Sequence, residues 1–228
     1  LMYSLIHQQV DAIVLVPIDS KALVQPVVEA VRKGVPVINI DIRLDTQLLE
    51  QAGVEVAFVG PDNFAAAYEV GKLLDKKLRN EDKVAIIEGL TAADNAQQRK
   101  RGFIKAIEEK GLRLVASEPA DWETEKAAEV FQAMWMRYPD LKAVYCSNDA
   151  MALGVLQQMQ EKNCYLPVVG FDNDAVMKEF LSTGKLVATA DIFSSQMAVR
   201  GIEFALDVLE GKIENRGVHS TAYEIIRQ

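Results

Sequence analysis

Apolar runs of strand length alternate with helix-like stretches along most of the chain, and residues 143–154 show this pattern most clearly. Residues 143–146 are apolar and rich in β-branched and aromatic side chains, and apolar residues then recur at helical spacing up to residue 159. This predicts a strand, a turn and a helix, with Ser147, Asn148 and Asp149 at the turn. In an open parallel α/β sheet, ligands bind at the carboxyl ends of the strands, which is where this turn lies. For a single turn, however, a side chain that merely caps the helix is the simpler interpretation.

The same alternation runs from residue 12 to the end of the chain. The residues before residue 12 resemble the tail of an amphipathic helix. Strands read as solid apolar runs and are separated by helices, which predicts parallel sheets covered on both faces and an α/β class. Residues 42–55 are expected to form a polar connection followed by the approach to the next strand. Strands are predicted at 12–16, 35–41, 56–60, 84–88, 112–117, 143–146, 167–171, 186–191 and 221–226, and helices up to 32, at 63–78, at 95–110, at 123–137, after 149, at 175–183 and at 195–209.

Composition narrows the class of partner. The 228 residues are 50% apolar and 25% charged with a net charge of −8, typical of an ordinary globular chain, and no basic cluster points to nucleic acid or anionic membrane. No apolar segment approaches the roughly 20 residues of a membrane span, and no signal-peptide pattern is present. Cys146 and Cys164 fall near opposite ends of one predicted helix, so we expect two free thiols.

The predicted strand ends hold carboxylates, amides, one guanidinium and one indole. No His, Ser, Cys or carboxylate pair is placed as an activated nucleophile, no spacing fits a metal, and no glycine loop could cradle a phosphate. Acids, amides, an arginine and an aromatic plane suit a neutral polyhydroxylated ligand, because each hydroxyl can donate to a carboxylate and accept from Arg or Asn. These residues are Asp41, Asn95, Arg99, Trp122, Asn148, Asp172 and Asp191.

Five motifs in order resemble those of the periplasmic sugar-binding proteins of the ribose- and galactose-binding type, whose fold the effector domains of lactose-repressor-like regulators share. The resemblance implies two Rossmann-like lobes with parallel sheets, joined by a three-crossing hinge that closes on a sugar as a Venus flytrap. One lobe would comprise 1–60 plus 192–220, and the other 61–191 plus 221–228. The motifs are VDAIVLVPID at 10–19, VPVINID at 35–41, QRKRGF at 98–103, SNDAMALG at 147–154 and VVGFDN at 168–173.

The resemblance also implies roles for individual residues. It gives Asp41 as an acceptor, Arg99 as the guanidinium that chelates sugar oxygens, Trp122 as the stacking aromatic, and Asn148 and Asp172 as the amide and carboxylate of the second lobe. Asn95, Arg43 and Asp191 complete the expected ligand-binding set. Two departures argue against ribose itself: Ile42 precedes Arg43 where the family often has Arg directly after the aspartate, and Ile192 aligns with a glutamine of ribose-type proteins.

The family's first strand, first helix and second strand have no counterpart here, so we expect an incomplete N-terminal lobe in which the strand at 12–16 has an exposed apolar edge. We expect a monomeric, non-enzymatic protein without cofactor or metal that captures a pentose or hexose for an ABC importer permease, in the periplasm or as an extracytoplasmic lipoprotein. Three alternatives stay open. They are the effector domain of a lactose-repressor-type regulator with an upstream DNA-binding segment, the sugar sensor of a receptor kinase, and an enzyme on this fold.

Overall fold

The structure is a computed structural model that describes residues 1–228, and short strands alternate with helices throughout it. The strands are β1 (Ile13–Leu15), β2 (Val37–Ile40), β3 (Phe58–Pro61), β4 (Lys83–Glu88), β5 (Arg113–Pro119), β6 (Ala143–Cys146), β7 (Val168–Val169), β8 (Leu186–Asp191), β9 (Val218–Thr221) and β10 (Glu224–Arg227). The helices are α1 (Met2–His7), α2 (Val24–Arg32), α3 (Thr46–Gln51), α4 (Asn63–Asp75), α5 (Asp94–Lys110), α6 (Thr124–Arg137), α7 (Asp149–Glu161), α8 (Lys178–Ser182) and α9 (Ser194–Leu209), with a 3₁₀ turn at Ala175–Met177 before α8.

The chain divides into two units. Unit 1 comprises Leu1–Pro61, Ala92–Asn95 and Phe193–Ala222, and unit 2 comprises Asp62–Thr91, Ala96–Ile192 and Tyr223–Gln228. The short segment 92–95 lies with unit 1 rather than with residues 61–191, where the sequence-based division puts it. The reason is local: the Ser20 amide donates to the Ala92 carbonyl at 3.0 Å, and the Asp94 amide donates to the Ser20 hydroxyl at 2.9 Å.

Unit 1 is built on a four-stranded parallel sheet in the order β1-β2-β3-β9. Helix α9 packs closely on this sheet, since a Cβ added at Gly201 would lie 2.8 Å from the Ile40 side chain. Strand β1 has β2 as its only neighbour and therefore forms an edge, as expected for the strand at 12–16. Next to this open edge Val16 is 52% exposed, and α9 also presents Val199, Ile202 and Leu206 to solvent.

Unit 2 is built on a six-stranded sheet in the order β10-β8-β7-β6-β4-β5, parallel except for the pairing of β10 with β8. Its central strand β6 is fully buried, and the hydroxyl of Tyr145 in this strand donates to the buried Asp75 carboxylate at 2.6 Å. Burial of Asp75 raises the pKa of its carboxyl group, and this buried pair ties α4 to the centre of the sheet. The α/β class with parallel sheets is confirmed.

Two predicted segments need correction. The polar connection after β2 contains the helix α3, whose first turn the Asp45 carboxylate caps by accepting from the Leu48 amide at 3.0 Å. The final strand predicted at 221–226 is two strands, because the chain passes from unit 1 to unit 2 after Ala222. His219 therefore lies in β9, and the boundary between the units falls after Ala222, two residues beyond the predicted boundary at 220.

Cys146 is buried, Cys164 is partly buried, and both are free thiols, as their predicted positions at opposite ends of α7 required. None of the helices combines the length and the apolar character that a membrane-spanning segment needs.

Candidate functional site

The loops that follow the strands of unit 2 contain four of its six non-glycine residues with left-handed backbone angles. Asp121 and Trp122 after β5 have φ of 51° and 73°, and Asp172 and Asn173 after β7 have φ of 109° and 59°. Non-glycine residues rarely adopt such angles, and each costs of order 1–3 kcal/mol and persists only where the surrounding structure over-determines it. Backbone strain is therefore concentrated at two loops that carry predicted ligand residues.

Arg99 makes contacts with several of the segments near these loops. It lies in the second turn of α5, and only 3% of its side chain is exposed. Its Nε donates to Asn63 Oδ1 at 2.9 Å, and its Nη1 donates to the Ser147 carbonyl at 2.8 Å and to Asp172 Oδ1 at 3.3 Å. A buried guanidinium needs such compensation, and these bonds fix its plane. They use three of its five N–H groups, so the side chain retains donor capacity.

Two aromatic rings flank the Arg99 guanidinium. Its central carbon lies 3.7 Å from the ring centroid of Phe171 and 5.5 Å from that of Trp122. Both distances are within the range of cation–π attraction, worth about 0.5–2 kcal/mol each. The Trp122 indole in turn lies directly over Gly89, at the end of β4. Arg99, Trp122 and Asp172, predicted as site residues on three separate segments of the sequence, are thus in one cluster.

Asp172 lies on a turn that is hydrogen-bonded to β8 through two successive residues. Its amide donates to the Ala190 carbonyl at 2.7 Å, and the next residue, Asn173, donates through its side chain to Asp191 Oδ2 at 2.9 Å. The Asp172 side chain remains 30% exposed beside Arg99. Asp191, a predicted site residue, is thus linked to the cluster through Asn173.

Asn148 and Asp149 have different roles at the turn before α7: one caps the helix, and the other bonds to remote segments. Asn148 caps α7, since its Oδ1 accepts from the Met151 amide at 2.9 Å. Asp149 is fully buried, and its carboxylate accepts hydrogen bonds from other segments of the chain: from the Thr189 hydroxyl at 2.9 Å and from the Asp174 amide at 2.9 Å. Burial is the main cause that raises the pKa of Asp149 to about 7.

The three predicted residues of unit 1 lie on two segments. Asp41 directly follows β2 with φ of 65°, and the Arg43 guanidinium carbon lies 5.8 Å from the ring centroid of Phe58. Their loop is held by buried Asn39, which donates to the Ile42 carbonyl at 2.8 Å and accepts from the Leu44 amide at 2.8 Å. Asn95 is buried near the start of α5.

Five residues that shape these sites are not among the predicted site residues: Asn39, Asn63, Phe171, Asp149 as a partner of the turn at 171–174, and Thr189. Two signals were available. Asn39 and Thr189 are polar residues inside otherwise apolar strands, and such residues are buried only with hydrogen-bond partners. Nothing local marks Asn63 or Phe171, because their roles depend on Arg99, which is remote in sequence.

The arrangement can bind a polar neutral molecule but offers no recognisable catalytic group. Burial raises the pKa of the Cys146 thiol well above its usual range, which suppresses the thiolate. His219 bonds the Arg216 carbonyl at 2.9 Å and packs on Phe204, and no group of three His, Cys, Asp or Glu side chains could hold a metal ion. The guanidinium, the partly exposed carboxylate and the indole are groups that recognise hydroxyls and an apolar ring face.

Residues 1–213 match the family described as periplasmic binding protein domain. The chain is 43% identical over 222 residues to the D-ribose/D-allose-binding protein of Pseudomonas aeruginosa, a match that covers 95% of this chain and 70% of that protein.

Solved structures agree with this match. An ABC transporter solute-binding protein from Burkholderia multivorans superposes with a TM-score of 0.94 at 41% identity, over 99% of this chain and 80% of that one. A periplasmic solute-binding protein of an ABC transporter from Actinobacillus succinogenes, with bound D-allose, superposes with a TM-score of 0.92 at 31% identity, over 99% and 81% of the two chains. These relatives are binding proteins rather than enzymes.

Proposed function

Because the chain belongs to the periplasmic binding protein family, we propose that it is a non-enzymatic solute-binding protein for a monosaccharide, a pentose or a hexose. The observation that carries the proposal is the cluster in unit 2, where Arg99 pairs with Asp172 and is flanked by Phe171 and Trp122. The names of the relatives, which include ribose, allose and bound D-allose, support this class of ligand.

The cluster offers both halves of hydroxyl recognition. A sugar hydroxyl can donate to the Asp172 carboxylate and accept from a guanidinium, and each charge-assisted hydrogen bond contributes about 1.5–3 kcal/mol. The apolar face of the sugar ring can stack on the Trp122 indole, whose position the contact with Gly89 restricts. We assign Asn148 a supporting role through its side-chain amide, because its carbonyl oxygen is already engaged in capping α7.

The remaining assignments follow from the family resemblance. We propose Asp41, Arg43 and Asn95 as further ligand residues, since Asp41 has a strained backbone at a strand end and Asn39 fixes the loop that it shares with Arg43. Asp191 acts on the ligand through Asn173. The hinge motion that the resemblance implies stays a prediction.

We further propose that the protein works as an extracytoplasmic monomer and delivers its sugar to the permease of an ABC importer. Support comes from the family, described as periplasmic, and from relatives described as solute-binding proteins of ABC transporters. No observation favours the transcription regulator, the receptor kinase or an enzyme over this function.

Titration calorimetry of the whole chain against pentoses, hexoses and polyols, beginning with D-ribose and D-allose, tests the proposal. We expect one sugar to bind in the micromolar range or tighter, and Asp172→Ala to weaken binding about a hundredfold or more, from the loss of charge-assisted hydrogen bonds. The matched control is Asp174→Ala, since Asp174 is an exposed aspartate of the same loop whose side chain makes no capping bond. Absence of binding across the panel, or equal losses in the two variants, would overturn the proposal.

A further inference from the structure

The turn formed by Phe171, Asp172, Asn173 and Asp174 carries the carboxylate that faces Arg99. Two of its residues have left-handed backbone angles, so the turn needs partners that hold it in this shape. Its amide groups identify these partners. The Asp172 amide donates to the Ala190 carbonyl at 2.7 Å, the Asn173 amide to the Thr189 hydroxyl at 3.2 Å, and the Asp174 amide to Asp149 Oδ2 at 2.9 Å.

Asp149 and Thr189 form a connected pair behind this turn. The Thr189 hydroxyl donates to Asp149 Oδ1 at 2.9 Å while it accepts from Asn173, and the Asp149 amide donates to the Phe171 carbonyl at 2.7 Å. Both side chains are fully buried. The pair therefore bonds to three of the four residues of the turn, from α7 on one side and from β8 on the other.

Capping of α7 does not account for the bonds of the buried Asp149 carboxylate. The cap of α7 is provided by Asn148, and the bonds described for the Asp149 carboxylate go to β8 and to the turn. A carboxylate buried without a cation is costly, and burial raises its pKa. The neighbouring strand also accommodates it, because a Cβ at Gly170 would overlap Asp149 Oδ1.

We propose that Asp149 and Thr189 are positioning residues for sugar binding, which fix the strained turn so that the Asp172 carboxylate faces the ligand. This inference rests on the proposed function. Neither side chain touches the sugar, and both act through the backbone of the turn. Removal of either should loosen the turn locally and weaken sugar binding without loss of the fold.

Thr189→Val tests the pair because valine has a similar shape but no hydroxyl, and Thr189→Ser restores the hydroxyl. The matched control is Thr183→Val, which removes a hydroxyl bond to the Glu179 carbonyl at the end of α8. Amide hydrogen exchange of the whole chain without ligand is the first measurement, and calorimetric sugar affinity is the second. We expect Thr189→Val to raise exchange at Asn173 and Asp174 at least tenfold and to weaken affinity at least tenfold. Exchange in β4 should stay unchanged.

The serine variant should stay within about threefold of the wild type in both measurements, as should the Thr183→Val control. Unchanged exchange at the turn in Thr189→Val would overturn the positioning role whatever the affinity, and unchanged affinity despite faster exchange would overturn its importance for binding. If the wild-type chain bound no sugar, the proposed function would fail, and the exchange data would still decide whether the pair fixes the turn.

Discussion

Gly89→Ala is the sharpest test of how the Trp122 indole is placed. In the structure the indole lies over Gly89, and an added Cβ would lie 2.1 Å from ring atom Cη2 and 2.3 Å from Cζ2 and Cζ3. An ordinary contact begins at 3.4 Å, so the ring must move by about 1.3 Å. The strained backbone at Asp121 and Trp122 limits how far the main chain can follow.

The indole must therefore rotate away from its preferred side-chain angles, and overpacking of this kind costs about 1–3 kcal/mol. The rotation also displaces the ring from Arg99, with the loss of a cation–π attraction of about 0.5–2 kcal/mol. We expect Gly89→Ala to lower the free energy of unfolding by about 1.5–5 kcal/mol, the sum of the two costs, and to weaken sugar affinity at least about tenfold, because near 1 Å misplacements are costly.

A double-mutant cycle with Trp122→Ala isolates the contact. Urea unfolding measures stability and calorimetry measures affinity, and in the Trp122→Ala background the alanine at position 89 should cost little in either. If Gly89→Ala were equally costly with and without the indole, the reasoning would be refuted. The cost would then lie in the backbone of β4.

Two further predictions use the same unfolding assay, followed by tryptophan fluorescence, because both tryptophans of the chain, Trp122 and Trp135, lie in unit 2. Arg99→Met should lower the free energy of unfolding by about 2–4 kcal/mol, since the buried Asn63 Oδ1 and Ser147 carbonyl lose their donor. The control Ser147→Ala, which removes a buried hydroxyl without a partner, should lower it by less than about 1 kcal/mol. Equal losses in the two variants would contradict the interpretation. Burial raises the pKa of Asp149 from 3.8 to about 7, despite the hydrogen bonds that lower it, and the carboxylates of Asp172 and Asp174 add to the rise. The folded state then binds this proton more tightly than the unfolded state, so its contribution to stability falls as pH rises from about 4 to about 7. The wild-type advantage over Asp149→Asn in free energy of unfolding should therefore shrink by about 2–4 kcal/mol between pH 4 and pH 8, and a constant difference would contradict this.

Features determined by neighbouring residues could be predicted from the sequence. The strand β6, the helix α7 and the cap of that helix all follow from residues 143–159, where apolar spacing and an N-cap acceptor lie close together. The helix α3 was not predicted although Asp45 is a standard N-cap residue, because the helix contains only two apolar residues, Leu48 and Leu49, and resembles a polar loop.

Features that depend on tertiary pairing could not be predicted in the same way. Arg99 was expected at the site, but its partner Asn63 is 36 residues away, and the Asp149–Thr189 bond spans 40 residues. Strand β9 contains polar residues and is largely exposed, so its pairing with β3 has no apolar signature in the sequence. In both cases the sheet order brings the partners together.

The polar groups of the proposed unit 2 site are bonded to one another, and strain and buried charge are concentrated there. Asn63, Phe171 and Ser147 hold the Arg99 guanidinium, while Thr189 and Asp149 hold the turn of Asp172. A sugar that enters such a site does not have to order these side chains, so more of the free energy of its hydrogen bonds appears as affinity. The left-handed turn and the buried Asp149 carboxylate reduce the free energy of unfolding of unit 2 rather than the free energy gained on sugar binding. The same logic predicts that substitutions behind the site weaken binding even though they remove no contact with the sugar.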